Sequence, residues 1–346
     1  MLEHNFFNYN NGKITICFMK FRSSEKFTEP LNSICDSILY VMKEFMINNP
    51  QYNYTFYGVS FDGKRPKRNI EDVERADVLV CPSESEWVFQ VPGRAMNFVL
   101  QRTNGYLEDL RKVVDGKKYV IVKSDRADSE QLYSERVFPN NKLDYYTIDE
   151  NDFDGLLHHL KYIWIKERFK ENVIKEKDFM YWGGSKKKGF DGKPSGDMRH
   201  EILKQIKKDD ELDTWFIGNY DGFKADGKWN KKFYELVPSL MTARSTLCFN
   251  WPGYDEYLTS RYNESMACGI VPLVWKNYDI NNILVHSDWQ RCYSYEDVKN
   301  KINQLSDKNF YEKMYNDIHK KYIESTQPIE YYKNLFEKKL KKVIEG

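Results

Sequence analysis

The stretch Arg261-Tyr-Asn-Glu-Ser-Met-Ala-Cys-Gly-Ile-Val-Pro-Leu-Val-Trp275 constrains the fold of this chain more than any other. A polar run carrying Arg261 and Glu264 leads into the small-residue helix end Met266-Ala267-Cys268-Gly269, and an apolar strand from Ile270 to Trp275 follows at once. Gly269 suits a helix C-terminus because it tolerates a positive φ. Glu264 falls near the start of that helix. A carboxylate there accepts two hydrogen bonds from a vicinal diol, and the planar fork of Arg261 holds phosphate oxygens. The competing reading is an ordinary helix–strand unit whose charges are solvated. The chemical reading is preferred because three other segments fall where such a site needs them.

Those segments follow from the alternation of elements. Lys13 to Met19, Tyr54 to Phe61, Asp77 to Pro82 and Lys118 to Lys123 read as apolar strands. Between them, Thr28-Glu29-Pro30 opens a helix with Leu31, Ile34, Ile38, Val41, Met42 and Phe45 on one face, and another helix spans Arg94 to Val114. After a helix over 153–170 the pattern restarts: a strand Phe179 to Trp182 ends in Gly183-Gly184-Ser185, a helix covers Asp197 to Lys207, and Trp215 to Ile217 and Thr246 to Asn250 are strands. Asp297 to Lys321 and Glu330 to Ile344 read as helices. Apolar strands alternating with helices mean parallel α/β sheets, and 346 residues exceed what one core comfortably holds. The expected architecture is two doubly wound Rossmann-like domains, 1–170 and 171–328, with 329–346 as a C-terminal helix packing back on the first.

Composition excludes some classes. No apolar run approaches the ~20 residues needed to cross a bilayer. Met1-Leu-Glu-His-Asn has no basic region followed by an apolar one, so no signal peptide is expected. Six cysteines without a C-x-x-C read as buried thiols in a reducing cytoplasm, without a zinc site. Lys+Arg 53 against Asp+Glu 52 gives a net charge of +1, which permits polyanion binding without demanding it. Local basic runs exist at Lys186-Lys187-Lys188, at Lys224, Lys228, Lys231 and Lys232, and at Lys338 to Lys342.

In doubly wound sheets ligands bind beyond the carboxyl ends of strands, at the switch in strand order. Gly184 and Ser185 bring backbone N–H groups to such an end, with Lys187 adding charge and Arg199 following in the first turn of the next helix. Gly218-Asn219 ends another strand, where bare backbone lets a flat ring approach. Arg261 and Glu264 complete the set. Asp125 stands after the strand Tyr119 to Lys123; it reads either as a base or as a turn cap paired with Arg126, with Asp128 as a competitor. Glu29 reads as a second carboxylate candidate or as a helix-start residue. Asp152-Phe-Asp154 stands before a helix and reads as its cap, and His158-His159 as a helix face.

Tyr181-x-Gly-Gly-Ser185, the basic loop after it, Arg199, Phe216-x-Gly-Asn219 and Arg261-x-x-Glu264 resemble, in order and spacing, the β-type T-even phage DNA glucosyltransferases. Ala267-Cys-Gly-x-x-Pro272 with Trp275-Lys276 is more similar to the α-type enzyme. The resemblance covers 178–280. It implies an α/β GT-B fold, with two Rossmann-like domains facing a central cleft and the nucleotide-sugar site in the C-terminal one. It implies a UDP-sugar co-substrate, with Lys187, Arg199 and Arg261 on the diphosphate and Glu264 on the ribose. The acceptor it implies is the hydroxymethyl group of 5-hydroxymethylcytosine in double-stranded DNA, flipped from the duplex, with glucose or arabinose as the sugar. In that reading Asp125 is the base, with Glu29 as second candidate, and Lys224, Lys228, Lys231 and Lys232 form the DNA-binding patch. No metal is needed for the chemistry, although a divalent ion assists diphosphate release; a monomer in the host cytoplasm is expected. The alternative is a GT-B enzyme acting on a glycan or protein, because donor sites are shared across acceptor classes.

Overall fold

The protein is described here from a computed structural model, which describes residues 13–19, 25–26, 34–61, 67–82, 107–122, 138, 140–148, 154–169, 173–185, 198–228, 233–250 and 259–346. The chain forms two units, one of Met1–Leu157 with Pro328–Gly346, the other His158–Gln327. The sequence reading placed this boundary at residue 170; the contacts place it inside a helix.

In the first unit the strands are β1 (Thr15–Met19), β2 (Glu25–Lys26), β3 (Asn53–Tyr57), β4 (Val59–Ser60), β5 (Val78–Pro82), β6 (Lys118–Val122) and β7 (Asp144–Ile148). The helices are α1 (Ile34–Asn48), α2 (Ile70–Glu74) and α3 (107–113). Five strands form one sheet in the order β3-β1-β5-β6-β7, every pair parallel. The strand read from Tyr54 to Phe61 is two strands, interrupted at Gly58, whose φ of +69° turns the chain. Cys17, Met19, Leu79, Leu110, Tyr119 and Ile121 form the core on one face of the sheet. The last helix returns to this unit: on it Phe336 stacks edge-on against Phe45 of α1, and Lys333 pairs with Glu44 at 3.1 Å.

The second unit begins within α4 (Asp154–Arg168) and continues through β8 (Lys177–Ser185), α5 (Met198–Lys208), β9 (Thr214–Tyr220), α6 (Phe233–Leu240), β10 (Ala243–Cys248), α7 (Arg261–Ala267), β11 (Val271–Trp275) and β12 (Arg291–Cys292). Helices α8 (Tyr295–Leu305) and α9 (Lys308–Ser325) complete it, and α10 (Ile329–Glu345) belongs to the first unit. Its sheet runs β12-β11-β10-β8-β9, again all parallel. The chain passes from β8 outward to β9, then crosses to β10 on the other side of β8. The switch in strand order therefore lies between β8 and β10. Phe179, Leu203, Phe216, Leu247, Leu273 and Val298 are fully buried around this sheet, each burial worth about 1.5–3 kcal/mol in apolar transfer.

Two local details differ from the sequence reading. The helix read as continuous from Asp297 to Lys321 is broken between α8 and α9, because Asp307 leaves the helix and accepts a hydrogen bond from the Phe310 N–H at 2.8 Å as the N-cap of α9. The Gly183-Gly184-Ser185 segment, read as following the strand, is its last part: β8 stays paired with β9 through Gly183–Gly218, Gly184–Asn219 and Ser185–Tyr220.

Candidate nucleotide-sugar site

The ends of β8 and β9 approach more closely than side chains allow. A Cβ on Gly218, whose φ is +141°, would stand 1.6 Å from the carbonyl oxygen of Gly183. A Cβ on Gly184 would stand 2.9 Å from the carbonyl oxygen of Asn219. The bareness of Gly218, read as room for a ring, is thus taken up by the neighbouring strand. Gly183, with φ +134°, leaves its open side to Arg261: a Cβ there would lie 2.9 Å from Nη2. The glycines fix where the guanidinium rests.

Helix α7 carries that guanidinium and the carboxylate from its first turn to these strand ends. Its far end closes as the sequence requires. Ile270 N–H donates to the Ser265 carbonyl at 2.9 Å and Gly269 N–H to the Met266 carbonyl, with Gly269 at φ +68°. This is a Schellman closure. It lets the chain turn at once into β11 and keeps the helix short.

Arg261 donates from Nη2 to the Trp182 carbonyl at 2.5 Å and lies 4.2 Å from the centroid of the Tyr181 ring. Among the described residues its buried Nε has no hydrogen-bond partner, and neither does the buried hydroxyl of Tyr181. An unsatisfied buried donor costs on the order of 1–3 kcal/mol, so these groups are available to a ligand at an energetic advantage.

Glu264 is only 4% exposed. Its Oε1 accepts from Lys161 Nζ of α4 at 2.6 Å, and its Oε2 accepts from Trp182 Nε1 of β8 at 2.8 Å. Burial pushes the carboxyl pKa up, but the Lys161 ammonium, its hydrogen bond and that from Trp182 outweigh burial, and the group is held below its ordinary value. A carboxylate offers about four lone-pair directions, so two remain for further donors.

Ser185 is buried with its Oγ 3.3 Å from His200 Nδ1, while His200 Nε2 lies 3.9 Å from the Glu201 carboxylate and has no hydrogen-bond partner among the described residues. Arg199 is in the first turn of α5, Asn219 is exposed at the end of β9, and Lys224 and Lys228 are exposed in the turn that follows. Lys187, Lys231, Lys232, Asp125, Asp128 and Glu29 lie outside the described residues. Asp125 follows β6, which is described to Val122. His159 is buried against Tyr322, with Nδ1 3.2 Å from its hydroxyl. Among the described residues no three His, Cys, Asp or Glu come together as a metal site, and no helix is long and apolar enough to cross a membrane.

The structure brings the candidates Arg261 and Glu264 together with the glycine-bearing end of β8; Lys161 and Trp182, as partners of Glu264, were not among the sequence candidates. Lys161 lies in a helix with several basic residues, and nothing local marks it; only its 103-residue separation from Glu264 being closed by the fold reveals it.

Two parallel, doubly wound α/β sheets, one carrying an arginine and a buried ionised carboxylate at its switch point, define the α/β GT-B architecture. No protein-family model and no curated protein matches the sequence. Solved structures do match its fold. A DNA-modifying β-glucosyltransferase, solved with and without uridine diphosphoglucose, is similar over 96% of this chain and 100% of its own, with TM-score 0.59 and 14% identity. T4 phage BGT in complex with UDP and Mn2+ is similar over 96% and 100%, with TM-score 0.58 and 14% identity. An α-glucosyltransferase in complex with UDP-glucose and DNA containing an abasic site is similar over 96% and 100%, with TM-score 0.58 and 13% identity.

Proposed function

We propose that this chain is a UDP-sugar-dependent DNA glycosyltransferase that moves glucose or arabinose to the hydroxymethyl group of 5-hydroxymethylcytosine in phage DNA. The observation that carries this reading is the buried, ionised Glu264 beside Arg261 at the switch point of the second sheet, in a fold like that of enzymes solved with UDP-glucose and with DNA.

In this reading the ribose diol donates to the two free lone-pair directions of Glu264, and Arg261 at the head of α7, Arg199 in the first turn of α5 and Lys187 hold the diphosphate. Gly184, Ser185 and Asn219 supply backbone to the same ligand, while Gly218 lets β9 close on β8. Asp125, or in its place Glu29, takes the proton of the acceptor hydroxyl as that oxygen attacks the anomeric carbon. The new C–O bond forms as the bond to the β-phosphate oxygen breaks, and UDP leaves with the electron pair. The cationic groups stabilise the charge that develops on it. The chemistry of this reading needs no metal; a neighbour in fold holds Mn2+ together with UDP, and a divalent ion on the departing diphosphate would assist release. The base is drawn from the duplex to reach the site, and the protein acts as a monomer in the host cytoplasm.

A second reading, a GT-B enzyme with a glycan or protein acceptor, is favoured by the net charge of +1, unusual for a DNA-binding protein. The test is release of UDP from UDP-glucose and other UDP-sugars in the presence of hydroxymethylcytosine DNA, unmodified DNA or no DNA. Sugar transfer that needs the hydroxymethyl group supports the proposal. Turnover indifferent to DNA, with no modified nucleoside formed, overturns it in favour of the second reading.

A further inference from the structure

We infer that Lys161 is a positioning residue for nucleotide binding, fixing the Glu264 carboxylate as a two-hydroxyl acceptor for the ribose. The inference rests on the nucleotide-sugar reading of this site and deepens it.

The geometry is specific. Lys161 is 5% exposed, its ammonium 2.6 Å from Oε1 of Glu264 and 4.7 Å from the centroid of the Phe233 ring of α6. It reaches the carboxylate from α4, while Trp182 reaches the other oxygen from β8. The two donors fix the carboxylate plane from two separate elements. Each oxygen keeps a lone pair for a further donor. Arg261, one turn earlier on α7, is occupied by the Trp182 carbonyl and the Tyr181 ring, so it does not replace Lys161.

The charge matters as much as the geometry. The titratable groups facing Glu264 are Lys161 from α4, Cys248 from β10, and Arg261 and Cys268 from its own helix and turn, together with the Trp182 indole from β8. Burial raises both thiols, so neither supplies charge near neutrality. Burial alone pushes the Glu264 carboxyl towards its protonated form, which offers one oxygen as donor and loses the symmetric acceptor that a diol needs. Lys161 is the nearest cation opposing that outcome. A purely structural ion pair, by contrast, is often replaceable at little cost by apolar side chains of similar volume.

The test is calorimetric titration of the full-length protein with UDP and with 2′,3′-dideoxy-UDP at pH 6, 7 and 8.5. Variants are compared as ratios to wild type, so that titration of the UDP phosphate cancels. Lys161→Met is expected to weaken UDP binding about 10–100-fold at pH 6, with the loss narrowing as pH rises and Glu264 ionises, and to leave dideoxy-UDP binding unchanged. Lys161→Arg keeps the charge and is expected to show a flat ratio; it also serves if Lys161→Met does not fold. The inference is overturned if folded Lys161→Met binds UDP as wild type does, if it loses both ligands equally at every pH, or if Lys161→Arg acquires pH dependence. Failure of wild type to bind UDP at all overturns the nucleotide-sugar reading itself, and this inference with it.

Discussion

The Arg261 guanidinium lies 4.2 Å from the centroid of the Tyr181 ring and is bounded by Gly183, where a Cβ would approach Nη2 to 2.9 Å. The arginine is thus stacked from one side and has no room to retreat on another. Arg261→Lys keeps the charge but loses the fork and the planar stack. Binding of UDP is expected to weaken about tenfold or more, read by calorimetry, with the fold retained by circular dichroism. Full affinity in the lysine variant would make Arg261 a structural residue only.

The glycines at the strand ends make a graded prediction. Gly183→Ala introduces strain at φ +134° and pushes on the guanidinium, and is expected to cost about 1–3 kcal/mol of stability while weakening UDP binding. Gly218→Ala places a Cβ 1.6 Å from the Gly183 carbonyl oxygen, a backbone atom that moves only with its strand. Its cost is expected to be the larger, about 3 kcal/mol or more. Urea denaturation of both variants checks the order; equal stability of wild type and Gly218→Ala would contradict the close approach of β8 and β9.

The fold, and part of the candidate site, were legible in the sequence for identifiable reasons. Alternation of apolar strands and amphipathic helices is local, so both sheets were legible. Gly269 at a positive φ and Glu264 in the first turn of α7 are likewise local signals. Gly183-Gly184-Ser185 was read as lying just past the strand, because glycine pairs rarely continue one. Only strand pairing shows that they let two strands close on each other. Lys161 and Trp182 were illegible as Glu264 partners because their roles depend on contacts 103 and 82 residues away. The break before α9 was missed because the apolar pattern runs on across Asp307, whose capping bond ends it.

Acid stability is expected to depend on His159. Burial lowers its imidazole from 6.5 to about 4. Between those values the unfolded chain binds a proton that the folded chain does not, so stability rises with pH across this window and falls as pH drops through it. A gap of about 2.5 pH units at roughly 1.4 kcal/mol each makes this acid-side loss on the order of 3–3.5 kcal/mol. Denaturant titrations from pH 4 to 7 should show His159→Gln with a shallower slope than wild type; identical slopes would refute the assignment.

Binding of duplex DNA should weaken steeply as salt rises, because contacts with phosphate release counterions. With a net charge of +1 the affinity must come from a local patch, and Lys224, Lys228, Lys231 and Lys232 are the nominated residues. Changing all four to Glu is expected to reduce DNA binding and its salt dependence together. Unaltered binding would move the interface elsewhere.

If Asp125 is the base of an inverting transfer, Asp125→Asn should keep UDP affinity while turnover falls by about 10²–10⁴. The anomeric configuration of the modified nucleoside, read by NMR, should be inverted relative to the donor. A retained anomer would leave Asp125 to position the acceptor.

In the proposed reading the head of α7 and the ends of β8 and β9 bind a uridine diphosphate through Glu264. The most direct measurement is calorimetric titration of UDP into wild type and Glu264→Ala. Saturable binding by the wild type, weakened by about 1.5–3 kcal/mol in the folded variant, is the result this account predicts. Absence of binding by the wild type, or equal affinity in the two proteins, would contradict it.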